Sequence, residues 1–182
     1  MKLYKVLSKS GRACHGGNGR WSLPAKNDDG TWTPGDWMPE IKGELVPCLN
    51  GYHLCRKKDL LRWLGETIYE AEYVGEIVKA SDKVVVREAR LVRKIESWNE
   101  RTARLFACDC AERVLPVFET KYPNDDQPRQ AIRVARQYAE GGIDNATRAA
   151  AEDAAWNAAW NAERRWQTNR LLKILSNAQI VR

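Results

Sequence analysis

No stretch of the chain runs to eighteen apolar residues, so no membrane-spanning helix is expected. The opening MKLYKVLSKSGR has charge but neither an apolar core nor a small-residue cleavage site, and no secretory leader is expected. The cysteines number five, an odd count that a secreted disulfide framework would leave unbalanced. The expected compartment is therefore a reducing cytoplasm with free thiols. Histidine is scarce: His15 and His53 are the only two, and no nucleophile signature surrounds either. No Gly/Ser-rich linker divides the chain, since Val92-Arg93-Lys94-Ile95 runs almost directly into Ser97.

What is present suits one domain or two small ones. A chain of 182 residues with 43% hydrophobic content can bury a core without disulfides. The net charge of +6 permits a polyanionic partner. It is spread, however: 17 Lys+Arg face 13 Asp+Glu in residues 1–96, and 13 face 11 in residues 97–182. A dedicated DNA-binding domain shows a sharper stripe. Eight tryptophans are many for this length. Trp156, Trp160 and Trp166 lie on a helical pattern and read as core. Trp21, Trp32 and Trp37 lie in a loop-like region, where they read equally as core or as interface anchors.

The patterning predicts an α+β fold: a small mixed or antiparallel sheet module over 1–95, then an all-α layer of three or so helices over 97–182. Lys2–Leu7 alternates as a strand, with Leu3, Lys5 and Leu7 on one face. Ser8–Glu44 is rich in turn signals and is expected to hold short strands such as Gly19–Leu23 and Gly30–Thr33. Tyr52–Cys55 reads as a strand, Asp59–Leu64 as a helix capped by Gly65, and Thr67–Gly75 and Lys83–Val92 as an antiparallel pair. Ser97 and Glu100 form a capping-box pattern that starts a helix running to about Glu119. Phe106, Cys110, Val114 and Val117 line one side of it, and Pro116 is expected to kink or break it. Asp126 caps a second helix ended by Gly141-Gly142, and Asp144 opens a third.

The densest chemistry is Cys48-Leu49-Asn50-Gly51-Tyr52-His53-Leu54-Cys55. With Tyr69-Glu70-Ala71-Glu72, Gly75 and Asp82-Lys83-Val84, it resembles a module of phage and prophage accessory proteins centred on C-x-N-G-[FY]-H-x-C. Leu105–Arg113 through Tyr122-Pro123 resembles helical segments of immunity-type proteins in phage and bacterial genomes. The resemblances imply a mobile-element accessory protein acting inside a bacterium; they transfer no catalytic residue.

Four constellations carry chemistry. Cys14, His15, Cys48, His53 and Cys55 are metal-ligand types, but structural zinc sites use cysteine pairs two to four apart, a spacing missing here, so no metal or cofactor is expected. Cys55 with His53 or His15 is a formal thiolate–imidazole pair. The strand order resembles the ADP-ribosyltransferase family, which implies His15 (or Arg12), Tyr52 and Glu72 around a nicotinamide dinucleotide. There is no clear S-T-S or H-G-[ST], and Glu70-Ala71-Glu72 sits in a plain strand instead of a firm E-x-E loop; fold analogy is weak ground for function. Arg56, Lys57, Lys58 and Arg62 beside Trp63 form a basic patch at a helix start, where cations oppose the helix dipole. The patch can meet an acidic protein or a nucleic-acid backbone.

The reading that joins these is a phage-type protein that binds a host protein or protein–nucleic-acid complex stoichiometrically, as an anti-CRISPR-like counter-defence inhibitor would. Its binding residues would be the basic patch with Trp21, Trp32, Trp37 and Trp63. The alternatives are an ADP-ribosyltransferase-like enzyme and a virion assembly protein. The oligomeric state and the partner's identity are not readable from the sequence.

Overall fold

The structure, a computed structural model, describes residues 1–17 and 19–142. It divides into two compact units, Met1–Glu100 and Arg101–Arg182. The architecture is α+β, with strands first and helices after.

The first unit is built on a closed four-stranded barrel of β1 (Leu3–Leu7), β4 (Tyr52–Arg56), β6 (Val84–Lys94) and β5 (Thr67–Lys79) in that order. Every pairing is antiparallel, so no mixed sheet forms. Alternation sends Leu3 and Leu7 inward to meet Leu54, Tyr69, Val84 and Leu91. Leu3, Leu7, Leu54 and Leu91 are fully buried, so truncating any one to alanine should cost about 2–5 kcal/mol.

β5 continues four residues past its expected end. Gly75, at φ +80°, lies in a register shift between Val74 and Ile77, and so marks a bulge within the strand. The β5–β6 hairpin closes through Ala80–Lys83, where the Ala80 N–H donates to the Lys83 carbonyl at 3.0 Å.

Between β1 and β4 the chain forms a two-stranded ribbon of β2 (Ala25–Lys26) with β3 (Trp32–Thr33); β3 lies within the strand expected at Gly30–Thr33, but its partner is β2 and not the strand expected at Gly19–Leu23. Gly35, Met38 and Ile41 then donate backbone N–H bonds to Leu91, Ala89 and Arg87. This segment covers the edge of β6 beyond the reach of β4, which protects otherwise unpaired backbone groups. Gly35 has no room for a side chain, since a Cβ there would lie 2.2 Å from the Ser22 carbonyl oxygen.

The helix expected at Asp59–Leu64 is a 3₁₀ helix over Lys57–Trp63. Its threefold repeat breaks up the expected leucine face: Leu61 is 70% exposed. Nor is Gly65 a left-handed cap; the helix ends on Leu64 in extended backbone.

A helix α1 (Glu100–Lys121) begins three residues after Ser97. The Trp98 N–H closes a turn on the Ile95 carbonyl, and its indole Nε1–H donates to the Gly65 carbonyl at 2.9 Å. That anchoring holds residues 95–98 as a turn immediately before the helix. Pro116 does not break α1 either; Tyr122 N–H to Phe118 O restores helical bonding beyond it.

In the second unit the chain reverses and continues as α2 (Gln127–Ala139). Asp126 precedes it without a side-chain cap to its backbone, and Gly141 follows at φ +82°. Pairs Glu119–Arg129, Glu112–Arg136 and Arg101–Ala139 run antiparallel between the helices. Cys108 and Leu115 of α1 are buried, whereas Phe106, Val114 and Val117, the side expected to pack, are exposed. The third helix expected from Asp144, with Trp156, Trp160 and Trp166, lies outside the described residues. Among the described residues no helix is long and apolar enough to cross a membrane.

Candidate functional site

The site begins with a failure of pairing. β1 and β4 share only two partners, Leu3↔Arg56 and Tyr4↔Cys55. Beyond Tyr4 the two strands part, although β1 keeps its full ladder with β5. The His53 carbonyl is met there by a side chain: the Lys5 ammonium donates to it at 3.0 Å. Lys5 also lies over the Trp21 ring, 5.1 Å from its centroid.

Around this seam lies a cavity of about 420 Å³, within the range of small-molecule pockets. Lys5 and Val6 of β1, His53 and Cys55 of β4, and Cys14, His15, Gly16 and Gly17 of the loop after β1 line it. Cys48, Leu49, Trp63 and Lys83 close the remainder. Both histidines of the chain and three of its five cysteines thus share one cavity.

Hydrogen bonding fixes the histidines. His15 Nε2 lies 2.9 Å from the Trp63 carbonyl, which can only accept, so Nε2 carries a proton. Its ring meets Trp63 edge to face at 5.5 Å. His53 Nε2 accepts the Cys48 N–H at 2.8 Å and so is unprotonated. Burial, then the Lys5 and Lys83 charges, lower the His53 pKa and favour the neutral ring. Cys48 itself adopts φ +69°, unusual for a residue with a Cβ. Trp63 is set by its own Nε1–H, which donates to the Asp82 carbonyl at 2.9 Å, and Lys83 lies 4.8 Å from its ring centroid.

Neither Cys55 nor Cys14 is activated. Burial pushes the Cys55 thiol up to about 11, outweighing the opposing Lys5 charge, and burial also raises Cys14. A nucleophilic cysteine needs the opposite shift. Among the described residues no group of three His, Cys, Asp or Glu side chains is arranged to hold a metal ion.

The candidates for an ADP-ribosyltransferase site do not meet. Only His15 lines the cavity. Tyr52 packs on Trp21 in the core and donates its hydroxyl to the Pro39 carbonyl. Glu72 is ion-paired with Arg90 on the β5–β6 ladder.

The basic patch divides. Arg56 is committed to Asp59 and to the Ala80 and Ser81 carbonyls, bracing the barrel. Lys57 and Lys58 are exposed, and the exposed Arg62 pairs with Asp82 at 3.2 Å. Trp21 is buried core and not a surface anchor; Trp32 is half-buried in β3; Trp37 is 37% exposed beneath the Arg90 guanidinium.

Sequence reasoning missed Lys5 and Lys83 as site residues. The signal for Lys5 was its place on the inward face between Leu3 and Leu7, where an apolar side chain is the norm.

Residues 93–165, under half of the chain, match a family model described as "Imm-5 like putative immunity protein". A search of curated proteins found no match. A search of solved structures found none. The helical segment is therefore similar to that immunity family, with α1 and α2 inside the matched range.

Proposed function

We propose that the protein acts by stoichiometric binding to a bacterial protein or protein–nucleic-acid complex, inside the bacterial cytoplasm, rather than by catalysis. The similarity of residues 93–165 to an immunity family carries the reading, because an immunity protein protects by neutralising something else. The site chemistry supports it. The Cys14 and Cys55 thiols are pushed toward the protonated form by burial, the neutral His53 is occupied by the Cys48 N–H, and of the three residues of the transferase reading only His15 lines the cavity. In a phage-type accessory protein the neutralised partner would be a host defence component, as in an anti-CRISPR inhibitor.

Exposed Lys57 and Lys58 fit an acidic contact on such a partner. The test is affinity capture from nuclease-treated bacterial lysate, followed by native mass spectrometry. The expected result is one protein partner in fixed ratio, with binding weakened about tenfold when Lys57 and Lys58 are both reversed to Glu. Capture that vanishes on nuclease treatment, or a phenotype abolished by Glu72→Gln alone, overturns it.

A further inference from the structure

The cavity at the β1–β4 seam is positively lined. Lys5 and Lys83 reach it, and among the described residues no Asp or Glu forms part of its wall. The neighbouring carboxylates lie outside the lining, and only Asp82 reaches one of its cations. Asp59 pairs with Arg56, Asp82 pairs with Arg62 and more loosely with Lys83 at 3.9 Å, and Glu66 accepts the Lys9 N–H. Lys5 forms no ion pair among the described residues; its one hydrogen bond is to the neutral His53 carbonyl.

A leucine at position 5 would match Leu3 and Leu7 and bury apolar surface. A half-buried ammonium without a counter-ion instead costs stability. Burial lowers the Lys5 pKa accordingly. Apolar surface also awaits cover: Leu49 lines the same cavity and is 84% exposed. Trp63 presents an aromatic wall already fixed by the Asp82 carbonyl and by His15.

We propose that this cavity binds a small organic anion, its carboxylate or phosphate group meeting the Lys5 and Lys83 ammoniums and its apolar body resting against Trp63 and Leu49. The thiols stay bystanders, and binding involves no covalent step. His15 and His53 adjoin the ligand and sense it.

Because the chain has no other histidine, imidazole NMR signals report on this cavity alone. Phenyl phosphate and benzoate are titrated into the full chain, with benzyl alcohol as the neutral probe, and calorimetry gives the stoichiometry. The expected result is saturable 1:1 binding of one or both anions that moves the imidazole signals, with the stronger of the two identifying the headgroup. Lys83→Met should weaken binding about tenfold or more, the loss of one charge-assisted hydrogen bond. Lys5→Met should do the same. Because Lys5 also closes the seam, the half-buried Lys83 provides the decisive variant if Lys5→Met fails to fold. Unmoved imidazole signals with both anions, equal binding of benzyl alcohol, or unchanged affinity in Lys83→Met overturns the proposal.

Discussion

The backbone N–H of Cys48 donates to Nε2 of His53 at 2.8 Å, joining a strained turn to a strand that lines the cavity. The turn is narrow: the Val46 N–H bonds the Asn50 carbonyl, while Leu49 and Asn50 N–H groups both bond the Val46 carbonyl. The ring nitrogen on β4 thus does for Cys48 what a backbone carbonyl does in a ladder.

Acid should break this link. The folded-state pKa of His53 is depressed by burial and by Lys5 and Lys83, so between that value and 6.5 the unfolded chain binds more protons than the folded one. The His53 contribution is fully present above pH 6.5 and is lost as pH falls through the depressed value. Urea unfolding across this window should show it, and His53→Gln should flatten that part of the profile. An NMR titration midpoint at or above 6.5 for His53 would contradict the assignment.

Cys48 carries a cost that glycine would avoid. A left-handed residue with a Cβ costs about 1–2 kcal/mol, and glycine's extra unfolded-state freedom returns about 0.5–1 kcal/mol of that. Cys48→Gly should therefore stabilise the protein by about 0.5–1 kcal/mol in chemical denaturation, with the N–H to His53 kept. A destabilised Cys48→Gly would mean that the thiol itself matters to the fold.

Much of this was legible in the sequence. Two-residue alternation located β1 and β5, because half-buried strands write their pleat into the chain, while the Val84-Val85-Val86 run located β6 and the Asn50-Gly51 turn located β4. What was missed depended on distant partners. Gly75 reads as a strand end until β6 continues beside it, and nothing around Trp98 announces that its indole reaches the Gly65 carbonyl. The cavity was half legible: Cys14, His15, Cys48, His53 and Cys55 could be grouped by type, and they do line it together. That β1 and β4 part after Tyr4, making room for Lys5, is a property of three strands in register, and no local window contains it.

Cys55 should be a poor nucleophile. With its thiol pushed up to about 11 by burial, about 1% is thiolate at pH 9. Peptide-mapped alkylation with iodoacetamide should give a Cys55 rate that keeps rising to about pH 11. Its stabilising contribution, present below the ordinary thiol value of 9.0, should fall away as pH rises toward about 11, since the folded state holds the proton longer. Fast Cys55 labelling at neutral pH would reopen the catalytic reading.

Gly51 offers the sharpest mutational test of the barrel. It sits at φ +129°, and a Cβ there would lie 2.2 Å from Val85 Cγ1 and 3.1 Å from Leu45 Cδ2. Val85 is fully buried and pairs with His53 across β4 and β6, so it has little room to yield. Gly51→Ala should lose about 2–4 kcal/mol, overpacking and backbone strain adding together. Val85→Ala removes the clashing methyl but leaves the backbone strain, so the double variant should be less destabilised than the sum of the singles. A double-mutant cycle by urea unfolding measures the coupling, expected at about 1–2 kcal/mol. Simple additivity would mean that the 45–51 turn does not lie against β6 as described, and the cavity wall carried by Cys48 and Leu49 would have to be redrawn with it.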